Sequence, residues 1–261
     1  MFDFVNFAAA KLQLFLLIML RASGLFLIAP ILGHQNFPML AKVGLVILFS
    51  ILLVTTLDSA SIPAVASLGD LVAMAAKELL VGLAIGFVFA MLLMAVQGAG
   101  DIVAYQMGFS MATMADPSMG EVSILGQFWY LCATIVFLSI NGHHVIISAF
   151  NDSYRLIPPG QVVMNGSVAE MMMNYSAYVF VIAIKIAAPV IITLLLVDVA
   201  LGVVARMMPM MNVFILGFGV KVAVGLLVMA LSLPAFAYVL EKATGYLNEQ
   251  LQTMLVALGK A

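Results

Sequence analysis

From Leu79 to Gly100 the chain runs between two acids, Glu78 and Asp101, without one charged side chain. About 20 apolar residues are enough to cross a hydrocarbon core of about 30 Å. The run has company: uncharged stretches also fill 22–41, 43–57, 122–151, 186–197 and 222–240. Only 8% of the 261 residues are charged and 65% are apolar, whereas a soluble domain has about 25% and roughly half. A soluble fold of this size has too little polar side chain to cover that surface. The chain reads as an integral membrane protein, and as one folding unit over 1–261.

Ten Lys and Arg stand against twelve Asp and Glu, a net charge of -2 with no basic patch, so nucleic-acid binding has no electrostatic footing. A single cysteine, Cys132, excludes an internal disulfide and a Cys-based metal site and reads as a small buried apolar residue. The opening MFDFVNFAAAK is acidic at Asp3 and lacks a positive n-region. No small-residue cleavage site follows it, so the first apolar segment is expected to stay in the structure.

Six spans suggest themselves, near 12–33, 43–57, 78–100, 122–150, 174–205 and 222–240. They fit a bilayer poorly. At 1.5 Å per residue, 43–57 reaches about 22 Å, 122–150 about 44 Å and 171–205 about 52 Å if unbroken. Breaks are expected at Asn141-Gly142-His143-His144 and at Pro189. Loops are expected at 34–38, 58–70, 101–121 and 152–170, and Leu247, Leu251, Met254, Leu255 and Leu258 mark a final amphipathic helix over about 241–261. With six spans, Lys11, Arg155, Lys242 and Lys260 face Lys42, Arg206 and Lys221, which orients nothing. Either the span number differs, or partner proteins hold the chain as much as lipid does and permit irregular helices.

Enzyme signals are thin. Gly98-Ala99-Gly100-Asp101 spells the GxGD of intramembrane aspartyl proteases, but that chemistry needs a second carboxylate. The other deep acid, Asp198, lacks the partner motif. No HExxH is present, and His143-His144 point to different helix faces without a third ligand. No catalytic, cofactor-binding or metal site is assigned. Arg21, Lys77, Glu78, Lys185, Asp198 and Lys221 interrupt apolar stretches. They read as ion pairs with neighbouring helices, the alternative being a proton or substrate relay.

Two patterns concern packing and gating. Gly82, Gly86 and Ala90 recur every four residues, a spacing that lets two membrane helices approach closely, within the chain or between subunits. Of 20 methionines, four lie in each of the windows 107–119, 164–173 and 207–211. Met107, Met111 and Met114 would share one helical face. Methionine is adaptable enough to fill space or to close around changing shapes.

Four stretches resemble the FliR family, whose counterparts in virulence secretion are the SctT proteins. They are Arg21-Ala22-Ser23-Gly24-Leu25-Phe26-Leu27-Ile28-Ala29-Pro30-Ile31-Leu32-Gly33, then Lys77-Glu78-Leu79-Leu80-Val81-Gly82-Leu83-Ala84-Ile85-Gly86. The third runs from Gln97-Gly98-Ala99-Gly100-Asp101 through Gln106-Met107-Gly108, Ser110 and Asp116-Pro117, and the fourth is Pro209-Met210-Met211-Asn212-Val213-Phe214-Ile215-Leu216-Gly217-Phe218-Gly219-Val220-Lys221. Met210 departs from the family's usual Gln, and Gly219 from its usual Pro. The resemblance implies an all-α export-gate subunit of the flagellar type III protein secretion apparatus, without enzymatic activity or cofactor. It implies a multi-pass place in the bacterial inner membrane at the flagellum basal body, in a helical complex with FliP-like and FliQ-like subunits and with FlhB-like and FlhA-like proteins alongside. Unfolded export substrates would pass, driven by proton-motive force and a separate ATPase. A plug over about 106–121, with Met107, Phe109, Met111, Met114, Pro117 and Met119, would close the channel. Met210, Met211, Asn212 and Phe214 would form a pore or subunit-contact segment. The competing reading is a polytopic small-molecule or ion transporter, which the helix breaks suit but the missing internal repeat does not.

Overall fold

The computed structural model describes residues 2–33, 37–57, 67–109, 123–163, 166–208, 210 and 212–259. Among them the secondary structure is helical throughout: α1 Phe2–Ile28, α2 Met39–Thr56, α3 Leu68–Met107, α4 Ile124–Ser139, α5 Gly142–Leu156, α6 Gly166–Met207 and α7 Val213–Gly259. Five helices or helix segments are long and apolar enough to cross a membrane: Ala9–Ile28, Met39–Thr56, Leu68–Met107, Val168–Met207 and Ile215–Gly259. The broken pair α4 and α5 makes a sixth if it is one span. At 40, 42 and 47 residues, α3, α6 and α7 would be about 60 to 70 Å long, roughly twice a hydrocarbon core.

Local chemistry explains the helix ends. Ser67 and Asp70 form a capping box: Ser67 Oγ accepts from the Asp70 N–H at 3.2 Å, and Asp70 Oδ2 accepts from the Ser67 N–H at 3.0 Å. Asp70 therefore belongs to the first turn of α3, not to the expected 58–70 loop. Between α4 and α5, Asn141 takes φ 58, a left-handed conformation that asparagine tolerates and that ends a right-handed helix. The break expected at Asn141 is thus where the chain has it.

Other expectations need correction. α6 runs through Pro189 without interruption. A membrane helix absorbs a proline when neighbouring groups and local adjustment re-satisfy the freed backbone. α3 runs through Asp101 to Met107, so the 101–121 connection begins later than its charge suggests. The segment 241–261 is helical to Gly259, but it is the end of α7, not a separate helix.

By backbone proximity the chain divides into two compact units: Met1–Met91 with Asn141–Ser176 and Thr244–Ala261, and Leu92–Ile140 with Ala177–Ala243. α3, α6 and α7 contribute residues to both. In the first unit α1 lies against α3 at backbone distance. A Cβ added at Gly82 would overlap the Arg21 carbonyl oxygen, and one at Gly86 would stand 2.9 Å from the Leu25 oxygen. The small-residue spacing therefore serves a contact inside this chain. Phe26, Phe49 and Phe150 continue the core, with ring centroids 5.7 and 6.4 Å apart. Leu247, Leu251, Met254, Leu255 and Leu258 are all buried. In the second unit Gly100 and Gly126 bring α3 and α4 together, a Cβ at 100 standing 2.7 Å from the Gly126 Cα. Trp129 packs edge-on against Phe236 at 5.1 Å.

Candidate functional site

α3 ends where the proposed plug begins, and its end is built in detail. The Phe109 N–H donates to the Ala104 carbonyl at 3.1 Å and the Gly108 N–H to Tyr105 at 3.0 Å. Gly108 has φ +92. This is a Schellman cap, in which the left-handed glycine satisfies two carbonyls of the last turn and redirects the chain. Glycine is favoured there because a Cβ is strained at positive φ, most of all in a β-branched residue.

Around that cap three contacts fasten the root of the segment to α6 and α7. Met107 is fully buried, and its methyl occupies the space that a Cβ at Gly225 would need. Phe109 meets Phe218 edge to face, with centroids 5.9 Å apart and planes at 70°, the geometry the ring quadrupoles favour. The Gln106 side-chain amide donates to Asp198 Oδ2 at 3.1 Å. The other oxygen of Asp198, Oδ1, pairs with Lys221 Nζ. Asp198 and Lys221 thus neutralise each other across α6 and α7, and Gln106 ties the end of α3 to the pair. Met111, Met114, Pro117 and Met119 lie outside the described residues.

Asn212 serves a helix start. Asn212 Oδ1 accepts from the Ile215 N–H at 3.4 Å, the N-cap position of α7. Met210 is 98% exposed. Met211 lies outside the described residues, and Phe214 is in the first turn of α7.

In the first unit two of the intramembrane charges, Arg21 and Glu78, form one buried pair, while Lys77 has no ion pair among the described residues. The Arg21 guanidinium donates to Glu78 through Nε at 2.6 Å and through Nη2 at 3.0 Å. Its remaining hydrogens go to Ser153 Oγ at 3.0 Å and to the Ile157 carbonyl at 3.2 and 3.3 Å. Glu78 Oε1 also accepts from the Gly160 N–H at 2.8 Å. The Tyr154 ring lies 4.2 Å from the guanidinium carbon. Neither charged side chain has any accessible surface. Such a bidentate pair satisfies its own desolvation only because every donor has an acceptor. Sequence reasoning named both charges but could not join them, because they are 57 positions apart.

The residues of the enzyme-like motifs pack against neighbouring groups of the chain. Asp101 Oδ1 occupies the space beside Gly126 where a Cβ would stand, against the first turn of α4. The rings of His143 and His144 are 4.4 Å apart, and no three His, Cys, Asp or Glu among the described residues could hold a metal ion. Cys132 is half-buried rather than buried.

Long apolar helices around a satisfied buried ion pair define the class: a multi-pass helical membrane protein. A family model described as "Bacterial export proteins, family 1" matches residues 12–246. The flagellar biosynthetic protein FliR of Bacillus subtilis (strain 168) is 33% identical over 249 residues, covering 94% of this chain and 95% of that protein. Its namesake from Escherichia coli (strain K12) is 30% identical over 227 residues, covering 87% and 86%. The chain belongs to the bacterial export proteins of family 1, the FliR family.

Proposed function

We propose that this chain is an export-gate subunit of the flagellar type III protein secretion apparatus, helping to form and seal the pore for unfolded flagellar proteins. The observation that carries the reading is the family match across residues 12–246, joined by relatives named for flagellar biosynthesis over nearly their whole length. The chain would work in the bacterial inner membrane at the flagellum basal body. Its partners would be FliP-like and FliQ-like subunits, with FlhB-like and FlhA-like proteins beside them. Helices twice as long as a bilayer is thick suit a chain covered by protein as well as lipid.

Its role is mechanical, not catalytic. Closing a pore to ions while leaving it ready for a polypeptide calls for an apolar constriction that excludes water and side chains that repack. Segment 106–121 offers Met107, Phe109, Met111, Met114 and Met119 without a Lys or Arg. Its root is fastened at Gln106, Met107 and Phe109, which lets the remainder be displaced without losing its place. Deleting the chain from its flagellated host should abolish secretion of the filament protein, and supplying it in trans should restore secretion. Normal secretion by the deletion strain would end this reading.

A further inference from the structure

Lys185 lies deep in the apolar part of α6, away from the charges nearer its ends, Glu170 and Arg206. Lys185 is exposed, and among the described residues it has neither an ion pair nor a hydrogen bond. Its nearest charges on the same helix are Glu170 and Asp198, about 22 and 20 Å away along the axis at 1.5 Å per residue. Asp198 also lies about 140° round the helix and is taken by Lys221 and Gln106.

Lys185 sits in a seam. Val181, Lys185, Ile192, Leu196, Val199 and Val203 fall within about 40° of one line on α6, and all six are exposed. The spacing of three, four and seven is that of a helix–helix contact. A lysine amid such residues cannot reach an interface by extending its side chain, since apolar turns lie on both sides. Lipid against it is costly, and a carboxylate from a neighbouring helix removes that cost.

We infer that this face of α6 is a subunit interface, occupied by an apolar membrane helix of a neighbouring subunit whose Asp or Glu carboxylate pairs with Lys185. The inference rests on the proposed function, since it requires a hetero-oligomeric gate, and it adds the chemistry of the contact. The pair sets register: aliphatic side chains slide past one another, whereas one buried charge pair admits one alignment.

The test uses the complete complex, purified with co-expressed export-gate subunits. Dicyclohexylcarbodiimide enters apolar regions and activates a carboxylate, which an adjacent amine captures as an amide. Treatment should join this chain to another subunit through Lys185, read by mass spectrometry of the linked peptides. An internal Asp198–Lys221 amide is the positive control. Lys185→Arg should keep assembly but lose the crosslink, whereas Lys185→Glu should lower the yield of complex on the order of tenfold or more. An undiminished complex with Lys185→Glu, or labelling of Lys185 in the complex by a membrane-impermeant amine reagent, overturns the inference and leaves the gate function standing. Failure of the unaltered chain to form any complex overturns both.

Discussion

Removing one member of the Arg21–Glu78 pair should be among the most damaging single changes outside the proposed plug. Glu78→Leu strands a guanidinium with no accessible surface and takes the acceptor from the Gly160 N–H. Breaking a buried pair this way costs about 3–5 kcal/mol. Glu78→Gln keeps one acceptor oxygen and belongs at the lower end of that range. For a chain of this size about 1 kcal/mol corresponds to roughly 2–4 °C, so losses of roughly 6–20 °C are expected. Removing both charges, as Arg21→Met with Glu78→Leu, leaves the Ile157 carbonyl and Gly160 N–H without partners at about 1–3 kcal/mol each. No bare charge remains, so the double variant should lose far less than the sum of the two single changes. The monodisperse fraction surviving heat in detergent, followed by size-exclusion chromatography, gives all three shifts. Single variants within about 2 °C of the parent, or a fully additive double variant, would refute this account of the polar core.

Glycine substitutions separate contact from mere presence. Gly82→Ala should force α1 from α3 and lower thermal stability sharply, while Gly98→Ala, with nothing within 4 Å of the added carbon, should be neutral or slightly stabilising; equal Tm values would refute the packing claim. At the root of the proposed plug, Gly108→Val should be worse than Gly108→Asn, because only the second tolerates φ +92. Limited proteolysis after Tyr105 and Phe109 reads the fraying of α3, and equal cleavage of the two variants would remove the cap from the argument.

What the sequence makes legible is set by range. Apolar runs and the break signal at Asn141-Gly142 are local, and they place the helix middles and the α4–α5 break, whereas α5 runs on to Leu156 and α6 already starts at Gly166, inside the stretch 152–170 expected as loop. Pro189 misleads because its local penalty is real but is absorbed in the continuous α6. Asp101 misleads because a charge at the end of an apolar run need not end a helix, whereas the stop signal is Gly108 seven residues on. Partners are not local: Glu78 for Arg21, Asp198 for Lys221, Phe218 for Phe109. Composition announces that such charges need partners, but only the packing of distant helices decides which. The capping box at Ser67 and Asp70 has a readable spacing, but it lies inside the stretch 58–70 whose composition suggests a loop.

Ion conductance of the reconstituted gate complex, with and without residues 110–116, tests the central claim most directly. The deletion leaves the root contacts of Gln106, Met107 and Phe109 in place, so assembly should be unchanged. The parent complex should be tight, and the shortened one should leak small ions steadily. A shortened complex that assembles and stays as tight as its parent would contradict that claim.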